Sequence, residues 1–454
     1  MSNVLLLMSD EHNPRYAGPY GHAGIHTPMM DRLASEGVVF DAAYCPSPLC
    51  LPSRSALMAG QRVHELQTYS NCTVNLDASP LSYGAALAGQ DVHATYIGKV
   101  DVYARGSDLG FSEMLRPGDR TWPGDANQRR NPLATRERAD ERAKGYGPHE
   151  EAGAGDLRCV DAAVDWLCGT ASRLDQPWVL VINVANPHFP HRAQPELWDL
   201  YPDGGDLPSH GPEEPSAQHP RAVDLRDHFQ THGFAEDDVR GLRRGYLACV
   251  TFVDRQLDRL GTTLEQTGLL DDTVVLYTSD HGEMLGKFGM WWKCSLYEDA
   301  VRVPLIASGP GFGREVRVST PVDLHDVRAT MFEATGTAQP EGWLGTPLQS
   351  IPQADADRTV FSEYHGHGTR GSSYMVRRGD WKLIHHVGAP PQLFNLQDDP
   401  AELVNVVTAR PRIADALWTE MCAVCSPESE HQRAERFIEA QLGAIAAAHG
   451  EVEG

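Results

Sequence analysis

Apolar residues fall in two rhythms along this chain. Residues 3–9 form a nearly unbroken apolar run that turns polar at Asp10 and Glu11. Residues 178–184 repeat the design and lead into Asn186-Pro187-His188. Residues 273–278 do so again and lead into Ser279-Asp280-His281. Runs this short, bounded by polar or turn residues, predict strands buried on both faces of a parallel sheet. Residues 38–44, 95–98 and 303–307 read as further strands, and the second delivers Lys99. Thr27-Pro28 opens a helix that Gly37 ends, and residues 241–260 carry helical periodicity. Strands alternating with helices predict an α/β fold: a large, mostly parallel sheet sandwiched by helices. In such sheets ligands gather at the C-terminal strand ends. Asp10, Glu11, Lys99, His188, Asp280 and His281 all fall there.

From about residue 358 the rhythm changes. Residues 360–364, 374–377, 381–385 and 392–396 are short alternating runs, with Arg378-Gly379-Asp380 as a turn. They predict a small antiparallel sheet followed by helices. The expected division is a catalytic α/β domain over residues 1–357 and an α+β subdomain over 358–454. Residues 122–155 and 203–232, rich in Pro and charged residues, read as irregular insertions, the first at a pocket rim. The helical stretch 430–449 is a candidate to pack on its own domain or on a neighbouring subunit of a homo-oligomer.

Charge narrows the partners. The 454 residues are 41% apolar and 22% charged, with a formal net charge of -23. That balance argues against nucleic acid or an anionic membrane surface as partner. A small anionic substrate is compatible with it, because a site needs only a local cluster of cations; a large polyanion would be repelled. The first apolar run is too short for a signal-peptide core and has no basic leader, and no stretch is long enough to span a bilayer. Nine scattered cysteines do not make a disulfide framework. A cytoplasmic protein is expected. Cys422 and Cys425 form a lone Cys-x-x-Cys, which without a second pair reads as an ordinary helix pair.

Chemistry concentrates in Leu49-Cys50-Leu51-Pro52-Ser53-Arg54. Pro52 is pre-set for a first helical turn. Cys50 then lies at or just before a helix N-terminus, where free N–H groups favour an anion. Arg54, one turn on, faces the same way and can pair with an oxyanion. Taken alone, such a cysteine reads equally as a small core residue. Asp10, Glu11, Asp280 and His281 offer hard oxygen ligands and one imidazole. With Cys50 beside them they form a candidate site for one divalent metal ion, calcium foremost, magnesium or manganese as alternatives.

Several motifs together resemble the sulfatase family of the alkaline-phosphatase-like superfamily. They are Cys50-Leu51-Pro52-Ser53-Arg54 with its tail to Gly60, Pro187-His188-Phe189-Pro190, Asp280-His281-Gly282-Glu283-Met284-Leu285-Gly286, and Met290-Trp291-Trp292-Lys293 followed by Tyr297-Glu298. The resemblance implies that a maturation enzyme oxidises Cys50 to formylglycine, whose hydrated aldehyde is the nucleophile. It implies metal ligands at Asp10, Glu11, Asp280 and His281, with Glu11 in place of the commoner second aspartate. Lys99 and Lys293 would hold sulfate oxygens, and His188 would be the general acid. The implied reaction converts a sulfate monoester, R–O–SO₃⁻, to an alcohol and inorganic sulfate, on a sulfated sugar, a uronate or another small ester.

One position departs from the pattern. Most sulfatases carry a histidine two residues after the first lysine, thought to deprotonate the second hydroxyl of the hydrate. Here the run is Gly98-Lys99-Val100-Asp101. Asp101 as that base, Asp101 as the group that orients Lys99, and a changed role all stay open. The arylsulfatase K branch has a similar Gly-Lys-x-Asp pattern. It also resembles this chain in Ser362-Glu363-Tyr364-His365-Gly366, Ser373-Tyr374-Met375-Val376-Arg377 and Pro391-Gln392-Leu393-Phe394. Glu363 and His365 thereby become candidate substrate contacts. The rival readings are a phosphonate monoester or phosphodiester hydrolase of the same superfamily, and a non-catalytic anion-binding relative.

Overall fold

The computed structural model describes residues 1–73, 76–120, 127–202 and 205–452. Its centre is an eight-stranded sheet. In chain order the strands are β1 (Asn3–Asp10), β2 (Gly37–Phe40), β3 (His93–Lys99), β4 (Glu113–Gly118), β5 (Trp178–Pro187), β6 (Thr273–Ser279), β7 (Leu305–Ser308) and β8 (Val316–Val318). Their spatial order is β8-β2-β7-β6-β1-β5-β3-β4. All the pairs are parallel except those of β7, which runs antiparallel to β2 and β6. β1 lies at the centre, with Val4 opposite Val179 of β5 and Val274 of β6.

The apolar run of β1 serves both faces. Val4, Leu6 and Met8 join a core that holds Leu57, Met331 and Phe332. Leu5 and Leu7 join a second core against Leu257 and Leu260 of the helix Glu236–Gln266. Successive side chains of a strand point to opposite faces, so helices on both sides require this continuous run.

Three segments differ from the expectation. Residues 38–44 do not form one strand. The chain leaves the sheet after Phe40, where Asp41 turns out to pair with Arg317, and Ala43–Tyr44 pair instead with Val322–Asp323. In the stretch 203–232 the helix Pro220–Phe229 forms, with proline in its first turn; residues 203 and 204 lie outside the described residues. The insertion 122–155 contains the helix Ala139–Ala143 and the strand Tyr146–Pro148; its residues 122–126 lie outside the described residues.

The second sheet is antiparallel, in the order β9 (Thr359–Tyr364), β10 (Ser373–Arg378), β11 (Trp381–His386) and β12 (Ala389–Asn395). Arg378 pairs with Trp381, so Gly379 and Asp380 are the two-residue turn. Its two faces are both covered. Phe361, Tyr374, Val376 and Leu383 pack against Leu417 and Met421 of the helix Pro411–Val424. Val360, Met375, Ile384 and Phe394 face the other way and extend the main core. The last helix, Pro427–Val452, packs on its own chain: Phe437 meets Tyr69, and Gln441 accepts a hydrogen bond from Ser70.

A buried ion cluster joins the two sheets. Lys382 of β11, fully buried, donates to Glu298 and Glu402 at 2.8 Å each. Glu402 also accepts from the Glu298 backbone N–H, and Tyr44 donates to Glu298. Burial raises the Glu298 pKa, but Lys382, Arg377 and Arg302 outweigh it and bring it down to about 2. Removing one partner of a buried pair strands the other. Lys382→Met should therefore cost about 3–5 kcal/mol of stability in chemical denaturation. A carboxylate with a depressed folded pKa stabilises fully above its unfolded value of 4.5 and stops doing so as pH falls toward its folded value. Thermal midpoints of the wild type should drop between pH 4.5 and 2, more steeply than those of the Lys382→Met variant.

Candidate active site

The sheet gathers its polar strand ends at one edge. Asp10 ends β1, Lys99 ends β3, His188 follows β5 and Asp280 follows β6. The helix Cys50–Ala59 points its first turn at them. All ten of its residues are buried. Leu49, in extended conformation, is its N-cap, and Asn71 accepts the Leu51 N–H at 3.0 Å in place of a capping side chain on the helix itself. Cys50 is thus the first helical residue, with Sγ 3.3 Å from His281 Nε2 and 4.0 Å from Asp10 Oδ1.

Asp10, Cys50, Asp280 and His281 each bring one ligand atom to within 4.8 Å of the others. His281 donates Nδ1–H to the Gly282 carbonyl at 3.0 Å, which directs Nε2 at the cluster. Burial raises the Asp10 pKa, but Lys99, His188 and Lys293 hold it well below the carboxylate range. Burial likewise pushes the Cys50 thiol up, and Lys293, Lys99 and His281 bring it far down. The pocket is built to keep negative charge at this position.

Glu11 is not in this quartet. Its backbone sits at φ +70, and its N–H turns to Asp280 Oδ1 at 3.2 Å. Tyr246 fixes the turn by donating to the Glu11 carbonyl while accepting from the Asn13 N–H, both at 2.8 Å. The side chain leaves toward His188 Nε2 at 3.3 Å and Lys293 Nζ at 3.4 Å, so Glu11 groups with Asp10 and His188. Lys293 Nζ lies 2.6 Å from His188 Nε2. It is flanked by Trp292 and Cys294, both at positive φ, an unfavourable backbone kept where a side chain must be aimed.

Arg54 does not present its guanidinium to a substrate oxyanion. Nε donates to Asp280 Oδ2 at 2.7 Å and Nη1 to Asn183 Oδ1 at 2.8 Å, with Nη2 3.9 Å from Asp10. It neutralises the two buried carboxylates. Asp101 is clamped by Arg120, which donates Nε and Nη2 to its two oxygens at 2.5 Å each, and it lies 3.3 Å from Lys99 Nζ. Asp101 is thus shared between Arg120 and Lys99 and ties the two cations together. Glu363 and His365 do not reach the site. Glu363 accepts from His64 and from His365 at 2.8 Å each, and His365 Nδ1 bonds Ser372 Oγ. Both are spent on joining β9 to the helix Val63–Leu66.

A cavity of about 650 Å³ opens over Cys50, Lys99, His188 and Lys293. The family pattern described as Sulfatase matches residues 2–337. The chain belongs to the sulfatase family. A second pattern, N-sulphoglucosamine sulphohydrolase, C-terminal, matches residues 286–424. The sulfatase is 31% identical to the choline-sulfatase of Rhizobium meliloti (strain 1021), over 89% of this chain and 82% of that one. It is 29% identical to arylsulfatase K of Homo sapiens, over 96% and 85%. Among solved structures it resembles BT4656 in complex with D-glucosamine-2-N,6-O-disulfate, with a TM-score of 0.75, 19% identity and 95% and 98% of the two chains covered. It also resembles the phosphonate monoester hydrolase of Silicibacter pomeroyi, with a TM-score of 0.74, 22% identity and 93% and 95% covered. The last two likenesses are of fold.

The chain is a sulfuric ester hydrolase. No helix among its described residues is long and apolar enough to cross a membrane. Sequence reasoning missed several residues of the site. Asn183, which holds Arg54, had one signal, a lone amide in an apolar strand. Asn71 and Arg120 had none, and Arg136 and Arg142 had only their place in the insertion 122–155 expected at a pocket rim.

Gly98 sets the aim of Lys99. Its φ is +93, and a Cβ there would stand 2.2 Å from the Asn183 carbonyl oxygen of β5. Gly98→Ala must push β3 from β5 and move Lys99. A misplacement of about 1 Å costs about a hundredfold in rate. The expected outcome is a loss of that order in kcat/KM on an aryl sulfate, with far-UV circular dichroism unchanged.

Proposed function

We propose that this sulfatase hydrolyses a small anionic sulfate monoester with formylglycine, made from Cys50 by a maturation enzyme, as nucleophile, beside one divalent cation. The observation that carries the reading is the convergence on Cys50 of two ammonium groups and a buried carboxylate–imidazole set. The Sγ atom stands where an oxygen of the hydrated aldehyde would lie. That hydrate supplies two hydroxyls on one carbon, one to attack sulfur and one through which sulfate is later released.

The donor set fits a metal. Asp10 and Asp280 are fully buried, His281 turns Nε2 toward them, and hard oxygens with one imidazole suit calcium first, then magnesium or manganese. Asp10, Asp280, His281 and position 50 would hold the ion, which when bound polarises the sulfate group. Glu11 supports the other side of the site, holding His188 and Lys293.

The chain's own groups divide the work. Asp10, 4.0 Å from Sγ, takes the proton of the attacking hydroxyl. Lys99 and Lys293 bind the sulfate oxygens and offset the charge that grows on them. Burial lowers the proton affinity of His188, but Glu11 beside it raises it overall, and Lys293 likewise keeps its proton. The His188–Lys293 pair gives a proton to the departing alcohol oxygen. Arg54 keeps the two carboxylates apart and oriented.

The test is turnover of an aryl sulfate and the matched aryl phosphonate monoester by protein co-expressed with a formylglycine-generating enzyme, with peptide mass confirming the aldehyde. Preference for the sulfate is expected. Preference for the phosphonate would move the chain to the phosphonate hydrolases. Cys50→Ser has one hydroxyl where the hydrate has two, so it should stall after at most one turnover; steady turnover by that variant sinks the mechanism. Lys99→Ala should lower kcat by about 10²–10³-fold.

A further inference from the structure

A polar side chain inside an apolar stripe needs a reason, and the last helix holds one. From residue 434 to 447 of Pro427–Val452 the buried positions are Ala434, Ile438, Gln441 and Ile445, spaced as one helical face. Three of them are apolar. Gln441 is fully buried among them, and an amide taken from water is costly unless it is bonded. One polar residue on an apolar face fixes register, because sliding the face would leave it unpaired. Here Gln441 Oε1 accepts a hydrogen bond from Ser70 Oγ at 2.9 Å.

Ser70 stands beside Asn71. Residues 68–71 lie in no helix or strand, yet all four are buried. The last helix grips the chain on both sides of Ser70. Arg433 donates Nε to the Tyr69 hydroxyl at 2.8 Å, and Phe437 meets the Tyr69 ring with centroids 5.5 Å apart. Ile445 packs on Cys72. Ala434 and Phe437 also share an apolar cluster with Ala56 of the helix Cys50–Ala59. Asn71 in turn spends its side-chain oxygen on the Leu51 N–H, one residue past Cys50. The first N–H groups of a helix have no partner within it, and the N-cap Leu49 has no side chain to offer one. Asn71 therefore supplies the cap from outside.

We infer that Gln441 positions the nucleophile: its bond with Ser70 fixes where Asn71 stands, and Asn71 fixes the helical turn that carries Cys50. Gln441 does not line the cavity over Cys50 and acts on it through a residue 371 positions earlier in the chain. It is a positioning residue, and the last helix is the element that aims the reaction. The inference rests on the reading of Cys50 as the source of the nucleophile. A second anchor keeps the helix docked when position 441 changes, because the buried Arg130 pairs with Glu435 at 2.9 Å and donates to His431 Nδ1 at 3.1 Å.

The test compares Gln441→Leu, Ser70→Ala and the double variant with the wild type. Turnover of an aryl sulfate is expressed per mole of aldehyde, counted by peptide mass. Hydrogen exchange is followed in two peptides, one carrying Leu51 and one carrying β6. In Gln441→Leu kcat should fall about ten- to a hundredfold with KM little changed, because Lys99 and Lys293 still bind the sulfate. The Leu51 peptide should exchange about tenfold faster while the β6 peptide keeps its rate. Ser70→Ala should show the same pattern. The double variant should lose no more than the worse single one, since both remove one bond. Losses that add, or faster exchange in both peptides, make Gln441 a residue of stability only and overturn the inference. Wild-type kcat in Gln441→Leu overturns it as well, and so does a lower kcat without faster exchange at Leu51. The exchange measurement needs no aldehyde and is repeated on protein that keeps the Cys50 thiol. A wild type without turnover, its aldehyde present, overturns the reading of Cys50, while faster exchange confined to the Leu51 peptide still upholds the grip of the last helix on that turn.

Discussion

Two carboxylates removed from water at the ends of adjacent strands are the constraint on which this structure depends. Asp10 and Asp280 are fully buried, and burial alone would drive both to take up protons. Lys99, His188 and Lys293 hold Asp10 ionised, and Arg54 opposes protonation of Asp280 by reaching it directly. To do so it must come from a helix buried along its whole length, whose Ser53 also donates to the Asp280 carbonyl at 2.7 Å. The same helix carries Cys50 in its first turn. Position of the nucleophile and neutralisation of the carboxylates are therefore one arrangement, and neither can shift without the other.

The antiparallel sheet takes part in that arrangement from a distance. Lys382 holds Glu298, five residues past Lys293, and the Glu363 N–H bonds the Pro46 carbonyl, four residues before Cys50. The two segments that deliver the site's cation and its nucleophile are thus both fastened to one rigid sheet. Glu363, His64 and His365 extend the fastening inward. Polar residues with the look of a binding motif are here the buried connectors of two sheets, each satisfied by its neighbours.

Inside this frame the charge balance is local. The pocket concentrates ammonium and guanidinium groups while the rest of the chain is acidic. A small sulfate ester that enters sees the near cations in a medium that screens little, whereas a long polyanion meets the negative exterior over many Debye lengths.

By itself the sequence determined the central strands, their mainly parallel pairing, and the ends at which Asp10, Lys99, His188 and Asp280 stand. It did so because a strand buried on both faces has to be an unbroken apolar run, and polar residues at its end have nowhere to go but the sheet edge. It also placed Cys50 at a helix start, through Pro52. Tertiary structure decided what those residues do with one another. Glu11 turns away from the quartet because its backbone adopts a positive φ held by Tyr246, more than 200 residues on. Arg54 and Asp101 meet their partners Asp280 and Arg120 only after folding, where spacing suggested an oxyanion contact for Arg54 and the resemblance left three roles open for Asp101. Arg136 and Arg142 lie in a stretch of high polarity and no period, which carries no signal of burial. Their place in the pocket exists because Phe229 and Trp292, far apart in the chain, come together beneath them.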